Sequence, residues 1–397
     1  MSALKKLLAL TLALTLTTGL FSGCSRGDSS SPSSSAPAAS SSSAQSDTPP
    51  MDLTNVTDPY LATAGLSGDT VVAHAGEYEI TAASYLYWLC YAIESYVLQT
   101  GVTEVNWDEL VGITVLKQYL SEAALESAAF YRLLPAMADK EGLAPAQADL
   151  DYMLQDLAQV EEDLGSAEKV DHILWYQLHS REHYQQAYVA SLCHALLQEH
   201  YFGQGSDGYP TDDDVQTHIE DELGYYRVKH ILLSVKDSET QEPLSDADKA
   251  AKKELAGELL AQLRAADDPI ALFDQLMNEY SEDPGLASYP NGYEAYAGQM
   301  VPEFEAASYA LAHNEISDIV ESDHGYHIIL RLPMDLDKFR AYIIADRMQT
   351  LVTQWVAENP VETNEAFDKI DTPAFWENVL SLRAAVEAEI EADEAAS

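Results

Sequence analysis

The sequence predicts an α+β protein: mainly helical N- and C-terminal segments on either side of a smaller α+β domain. Three observations carry this. Apolar residues recur at helical spacing through most of residues 82–202 and again through 339–392. Between residues 226 and 332 short β-branched runs alternate with helical ones, in a βααβαβ-like order. The length, 397 residues with 47% apolar, allows two or three domains with sizeable cores.

Lys5 and Lys6 precede an apolar stretch, residues 7–21, that is too short and too promptly ended to be a stable membrane span. Residues 1–23 therefore read as a signal peptide. Residues 24–67 read as a tether: from Ser25 to Pro50 the chain is almost all Ser, Ala, Pro, Gly and Asp, which cannot bury a core. The folded part is expected to begin near residue 68. Val71-Val-Ala-His-Ala-Gly76 predicts a strand and a turn, Tyr78-Glu-Ile80 the returning strand, and Thr81 caps a helix that runs to about Thr100. A second helix is expected over 107–140, stopped by Gly142. A third opens at Pro145 and ends near Gly165, and one or two more follow over 166–202. Residues 203–210 are a break, and Thr211 caps a short acidic helix to about Leu223. These elements make an N-terminal helical segment, 68–222.

The inserted domain is assigned to 223–334. It should contain a strand at 226–234, helices at 246–266 and 269–280, a loop at 284–298, a short helix at 302–312 and a closing strand at 325–332. A C-terminal segment, 335–397, returns as helices over 339–359 and from Pro373 to about 392.

The charge balance excludes one class of partner. With 66 acidic residues against 21 basic ones the formal charge is −45, and a nucleic-acid phosphate needs Lys and Arg. Solubility is the simplest use of such a charge, and basic partners are favoured. Three cysteines make no disulfide framework. Cys90 and Cys193 lie in apolar helical runs and read as small buried hydrophobes, with a bridge between them left open. His179 and His183 are one turn apart and could ligate zinc, but a solvated helix face is the favoured reading, and no metal is assigned. The aromatics Tyr85, Trp88, Tyr91 and Tyr96 read as core ahead of a groove for unfolded chains.

Leu20-Phe-Ser-Gly-Cys24 resembles the bacterial lipobox, in which small residues precede a cysteine that is lipidated and becomes the mature N-terminus; Phe21 departs from the usual residue there. Cys24 is then the lipidation site, and the protein would sit outside the cytoplasm, lipid-anchored to the outer face of the bacterial cell membrane.

Four further motifs occur in order: Val228-Lys-His-Ile-Leu, Tyr280-Ser-Glu-Asp-Pro-Gly, Gly298-Gln-Met-Val-Pro-Glu-Phe-Glu and Gly325-Tyr-His-Ile-Ile-Leu. Together they resemble the parvulin-type peptidyl-prolyl isomerases, an FKBP-like α+β fold, over residues 227–332. The flanking helices resemble those of PrsA- and SurA-like foldases, which implies that the N- and C-terminal segments pack together as one mainly helical chaperone domain with the parvulin domain inserted between them. The resemblance implies His230, Asp283 and His327 as catalytic residues, and Met300, Phe304, Tyr296 and Ser322 as substrate-binding ones. Met300 and Phe304, four apart, are expected on one face of the short helix as the floor of a proline pocket. His324 stands where the family is often small or hydroxylic. In place of a Gly-Gly-Asp-Leu-Gly loop the chain has Pro290-Asn-Gly-Tyr-Glu-Ala-Tyr296, so the roof of the pocket is rebuilt. A single Lys236 among acids argues against a phosphate-directed specificity. No cofactor is implied. The implied partners are unfolded or partly folded exported proteins containing X-Pro bonds, with room for a homodimer; the alternative is an inactive chaperone that only grips extended peptide.

Overall fold

The structure is a computed structural model that describes residues 49–396. The signal peptide, Cys24 and the tether as far as residue 48 lie outside the described residues. The chain divides into two compact units: one takes the residues up to Asp207 and those from Arg347 on, and the other is Gly208–Asp346.

The first unit begins earlier than its composition suggested. Part of the expected tether is folded: a 3-10 turn at Leu53–Asn55, then helix α1 (Pro59–Ala64), capped by Asp58. Tyr60 is buried in the main core, and the Met51 N–H donates to the Ser381 carbonyl, 3.1 Å away. Strands β1 (Val71–Ala75) and β2 (Tyr78–Thr81) pair as the expected hairpin, and Thr81 caps α2 (Ala82–Thr100) by accepting from the Ser84 N–H. The second helix starts later than predicted. Gly112, at φ 64°, turns β3 (Leu110–Val111) back on β4 (Thr114–Val115), so α3 runs only over Leu116–Lys140. Gly supplies the left-handed conformation such a turn needs, and the preceding residues go into the hairpin instead of a helix.

Helices α4 (Gln147–Leu164), α5 (Ala167–Tyr176) and α6 (Arg181–Phe202) follow, with Ser166 and Ser180 as caps. The aromatic side of α2 is core: Tyr85 and Trp88 are buried, with Tyr91 and Tyr96 packed at its margin. Cys90 and Cys193 are both free and buried. Cys90 lies against Glu94 and Arg383, and burial pushes its thiol up to about 12. His179 and His183 are not on a solvated face. His179 precedes α6, both rings are buried, and they stack with a 2.9 Å Nδ1–Nδ1 contact beside Tyr87.

The second unit exceeds the expected 223–334 at both ends. Helix α7 (Asp212–Thr217), closed by a Thr211–Asp214 capping box, and a π-helical turn at His218–Glu222 pack Val215 and Ile219 on Met334 and Ile343. Arg340 bonds Asp212 at 2.5 Å and the Pro210 carbonyl, tying the two ends of the unit together. Strand β5 (Tyr225–Ser234) is followed by α8 (Asp246–Ala265), α9 (Pro269–Tyr280), β6 (Tyr293–Tyr296), α10 (Pro302–Ala310), β7 (Val320–Ser322) and β8 (Gly325–Leu332). The antiparallel sheet has the order β6-β5-β8-β7. One face carries Ile231, Leu233, Tyr326, Ile328 and Leu330 against α8 and α9. The other carries Tyr226, Val228 and Ile329 against Phe304 of α10.

Helix α11 (Leu336–Glu358) contributes its start to the second unit and its end to the first. Strand β9 (Val361–Thr363) then pairs antiparallel with β1, Ala75 opposite Val361, and α12 (Thr372–Ala396) sends Phe375, Val379 and Leu382 into the first core. Among the described residues no helix is long and apolar enough to cross a membrane.

Candidate active site

Side chains alternate along a strand, so residues 226, 228, 230 and 232 of β5 share one face. In the register of β5 with β8, His230 faces Ile329 and Leu232 faces His327. The two histidines are therefore diagonal neighbours on the face that carries α10, close enough for their rings to meet. The rings lie nearly parallel, with centroids 5.3 Å apart and Nδ1 to Nδ1 at 3.1 Å.

The pair is the centre of a four-residue chain. His230 Nε2 lies 3.1 Å from Asp283 Oδ2, and His327 Nε2 lies 2.7 Å from Ser322 Oγ. Asp283 is a carboxylate and can only accept. With both rings neutral, one assignment satisfies every contact. His230 Nε2–H donates to Asp283, His327 Nδ1–H donates to His230 Nδ1, and the Ser322 hydroxyl donates to His327 Nε2. Ser322 Oγ in turn accepts from the His324 N–H at 3.1 Å. The electrostatics agree. Burial and the neighbouring His230 and His324 pull the His327 imidazole down to about 3, so that ring is neutral at ordinary pH. Burial alone would raise the Asp283 carboxyl, but bonds from His230, Tyr293 and the Gly285 N–H outweigh it and hold the group at about 2.

Phe304 stands edge-on to both imidazoles, with centroids 5.1 Å from His230 and 5.3 Å from His327. Met300, Val301, Ala307, Leu311 and Val320 close around it. Met300 precedes α10, so the expected shared helix face does not exist; the turn before Pro302 brings Met300 to the same cluster. The result is an apolar floor bounded on one side by polar rings that are already hydrogen-bonded.

The structure does not bring Tyr296 to the histidine pair. Tyr296 packs against Tyr225, centroids 5.5 Å apart, and joins neither the histidines nor the Phe304 cluster. The aromatic residue at the site is Tyr293, whose hydroxyl donates to Asp283 Oδ2 at 2.5 Å and whose ring lies 5.7 Å from His230. Residues 293–296 form an edge strand on β5 where a loop was expected. Period-two alternation from the apolar Ala295 puts Tyr293 on its face and Tyr296 on the opposite one, and that signal could have found it. Two glycines make the arrangement possible. A Cβ at Gly285 would sit 2.0 Å from the Tyr293 hydroxyl, and one at Gly292, where φ is 100°, would sit 2.7 Å from the Val228 carbonyl. Removing the hydroxyl in Tyr293→Phe is expected to destabilise the second unit by about 1 kcal/mol and to raise the Asp283 pKa, both readable by denaturation and carboxyl NMR titration.

Comparison with known proteins gives the same outline. A family model described as Rotamase: PPIC-type PPIASE domain matches residues 230–332. The chain is 30% identical over 241 residues to the foldase protein PrsA of Halalkalibacterium halodurans, which covers 58% of this chain and 64% of that protein. It is 33% identical over 128 residues to the peptidyl-prolyl cis-trans isomerase ESS1 of Saccharomyces cerevisiae, covering 30% of this chain and 72% of that protein. The crystal structure of PrsA from Bacillus subtilis aligns at 20% identity over 64% of this chain and 91% of its own, with a TM-score of 0.22. The chain spans between 35% and 64% of the length of the first curated foldase relatives it matches.

Proposed function

We propose, from the premise that this chain belongs to the parvulin family of peptidyl-prolyl isomerases, that its second unit turns X-Pro bonds in unfolded exported proteins. The whole protein, in this reading, is a foldase held by lipid on Cys24 at the outer face of a bacterial membrane. The observation that carries the reading is Phe304 set edge-on against the His230–His327 pair inside an apolar cluster.

Rotation about a prolyl amide makes and breaks no covalent bond. Its barrier, about 18–20 kcal/mol, comes from the double-bond character of the amide. A catalyst has only to bind the twisted amide better than the planar one. Met300 and Phe304 would hold the pyrrolidine ring on an apolar floor and strip water from the carbonyl, which favours the less polar twisted form. The Asp283–His230–His327–Ser322 chain holds the imidazoles at fixed orientation, so their dipoles need no reorganisation as the amide dipole turns. His327, neutral and buried, acts through orientation and not as a nucleophile. Ser322 and Asp283 position the rings from either end. Lys5 and Lys6, the short apolar run and Leu20-Phe-Ser-Gly-Cys24 support the anchor. The −45 charge supports a preference for basic clients over nucleic acid.

The test is NMR exchange in short X-Pro peptides with the full chain. Acceleration by the parent, lost at least a hundredfold in Met300→Ala/Phe304→Ala, is expected. Peptide resonances that shift on binding without any acceleration of exchange would replace the isomerase reading by that of a chaperone that only grips extended chain.

A further inference from the structure

The first unit contains a second concave site that owes nothing to the isomerase residues. Its volume is about 590 Å³, within the range of roughly 300–1,000 Å³ usual for ligand pockets. Three walls enclose it. The β2–α2 segment supplies Ser84, Tyr87 and Trp88, α3 supplies Tyr131 and Pro135, and α6 supplies His183 and Ala187. The rim carries Glu79, Glu182 and Arg132.

Two features mark the pocket as more than a packing defect. The first is the protonation of the buried histidine pair. His179 Nε2 is buried and has no hydrogen-bond partner. An orphaned acceptor is tolerated in a protein interior better than an orphaned N–H, so the His179 proton sits on Nδ1 and donates across the 2.9 Å contact to His183 Nδ1. The His183 proton is then on Nε2. His183 is 5% exposed, and its one hydrogen bond uses Nδ1. His183 lines the pocket, so this N–H belongs to its wall, and burial, which pulls the imidazole down to about 3, keeps the ring neutral. The second feature is Pro135. It lies inside α3 and has no N–H, so the Tyr131 carbonyl one turn earlier lacks its helical donor. His183 and the Tyr131–Pro135 turn thus line the pocket beside a contiguous aromatic surface of Tyr87, Trp88 and Tyr131. That is the complement of an extended peptide: a large apolar side chain against the rings and backbone groups at the two polar points.

The geometry points to this pocket as a docking site for one aromatic or large aliphatic residue of an unfolded chain, with basic residues beside it. The basic flank follows from charge: Glu79 and Glu182 outnumber Arg132 at the rim, and Arg132 is already spent, its Nε donating to the Glu79 carbonyl and its guanidinium resting on Tyr78. The inference rests on the reading of the protein as a foldase and names where, away from the isomerase site, a client would be held.

The experiment uses the full chain and a labelled, proline-free peptide in which one phenylalanine is flanked by lysines, with binding followed by fluorescence anisotropy. The expected result is saturable binding that weakens at least tenfold when the phenylalanine becomes alanine, and that weakens with added salt. Ala187→Trp and Ser84→Trp would plug the pocket from two different walls. Each variant that melts with the parent is expected to bind at least tenfold more weakly, with turnover of a short X-Pro peptide unchanged. In the parent, the His183 Nε2 resonance should shift on titration with the peptide, a readout that needs no variant. Parental affinity in a folded plug variant, or an unmoved His183 resonance at saturating peptide, overturns the proposal. Because the peptide has no proline and the readout is binding, absence of turnover in the parent bears on the isomerase reading alone.

Discussion

Lowering the pH from about 6.5 to about 3 is expected to strip several kcal/mol of stability from the helical unit through one pair of buried imidazoles. Burial pulls His183 down to about 3, and burial together with the adjacent His183 lowers His179 well below the ordinary histidine range. In the unfolded chain both titrate near 6.5. Between these limits the unfolded state binds more protons than the folded one, so stability rises with pH. The contribution is complete above about 6.5, shrinks as the pH falls, and is gone near the folded value. For His183 alone a displacement of this size corresponds to about 4–5 kcal/mol. All five tryptophans lie in the first unit, so tryptophan fluorescence during urea unfolding reports on it selectively. His179→Phe/His183→Phe replaces both hydrogen-bonding partners by apolar rings of similar shape and leaves no new orphan. Its unfolding midpoint should depend much less on pH between 3 and 6.5. Parallel pH profiles for parent and variant would show that other groups carry the acid sensitivity.

Asp283→Ala is expected to destabilise the second unit by about 3–5 kcal/mol and to cut prolyl turnover at least tenfold. The side chain is 11% exposed, and its two oxygens accept from His230 Nε2, the Tyr293 hydroxyl and the Gly285 N–H. Alanine leaves all three donors in a nearly closed site, and each orphan costs about 1–3 kcal/mol, offset where water can enter. The effect passes along the chain: without its acceptor His230 loses its fixed tautomer, and the contact with His327 loses its single direction. Asp283→Asn keeps an acceptor oxygen and should recover part of the stability. Thermal melting followed by NMR signals of the second unit, with peptide exchange in parallel, checks both. An alanine variant that melts with the parent and turns over normally would remove the carboxylate from the positioning role assigned to it.

Much of the local structure is written in the order of residues. Thr81 and Thr211 each cap the helix their neighbourhood predicted, because a hydroxyl one position before a helix satisfies an N–H that would otherwise be orphaned. The β1–β2 hairpin was legible for a similar reason: its turn glycine, Gly76, takes a φ of 59° that few other residues adopt readily. The candidate site was legible as a set of residue types at characteristic separations, and the structure brings His230, Asp283, His327, Ser322, Met300 and Phe304 together.

What the sequence by itself determined, then, is the helical and extended character of most segments, the division into a helical part and an inserted α+β part, and the identity of the histidine chain. The character of the segments depends on dihedral preferences, caps and apolar periods within a few residues of one another; the division and the histidine chain were implied by the resemblance to the parvulin and foldase families. Only the tertiary structure decided that Val361–Thr363 is a strand on β1, that residues 51–64 belong to the folded unit, and that His179 and His183 are interior. Each of these is a pairing between segments far apart in the chain or a choice between two faces of one element. Three extended residues carry no local signal of their own when their partner strand lies nearly three hundred residues away. Burial of a polar ring is settled by which surfaces come to cover it, and that is a property of the assembled core.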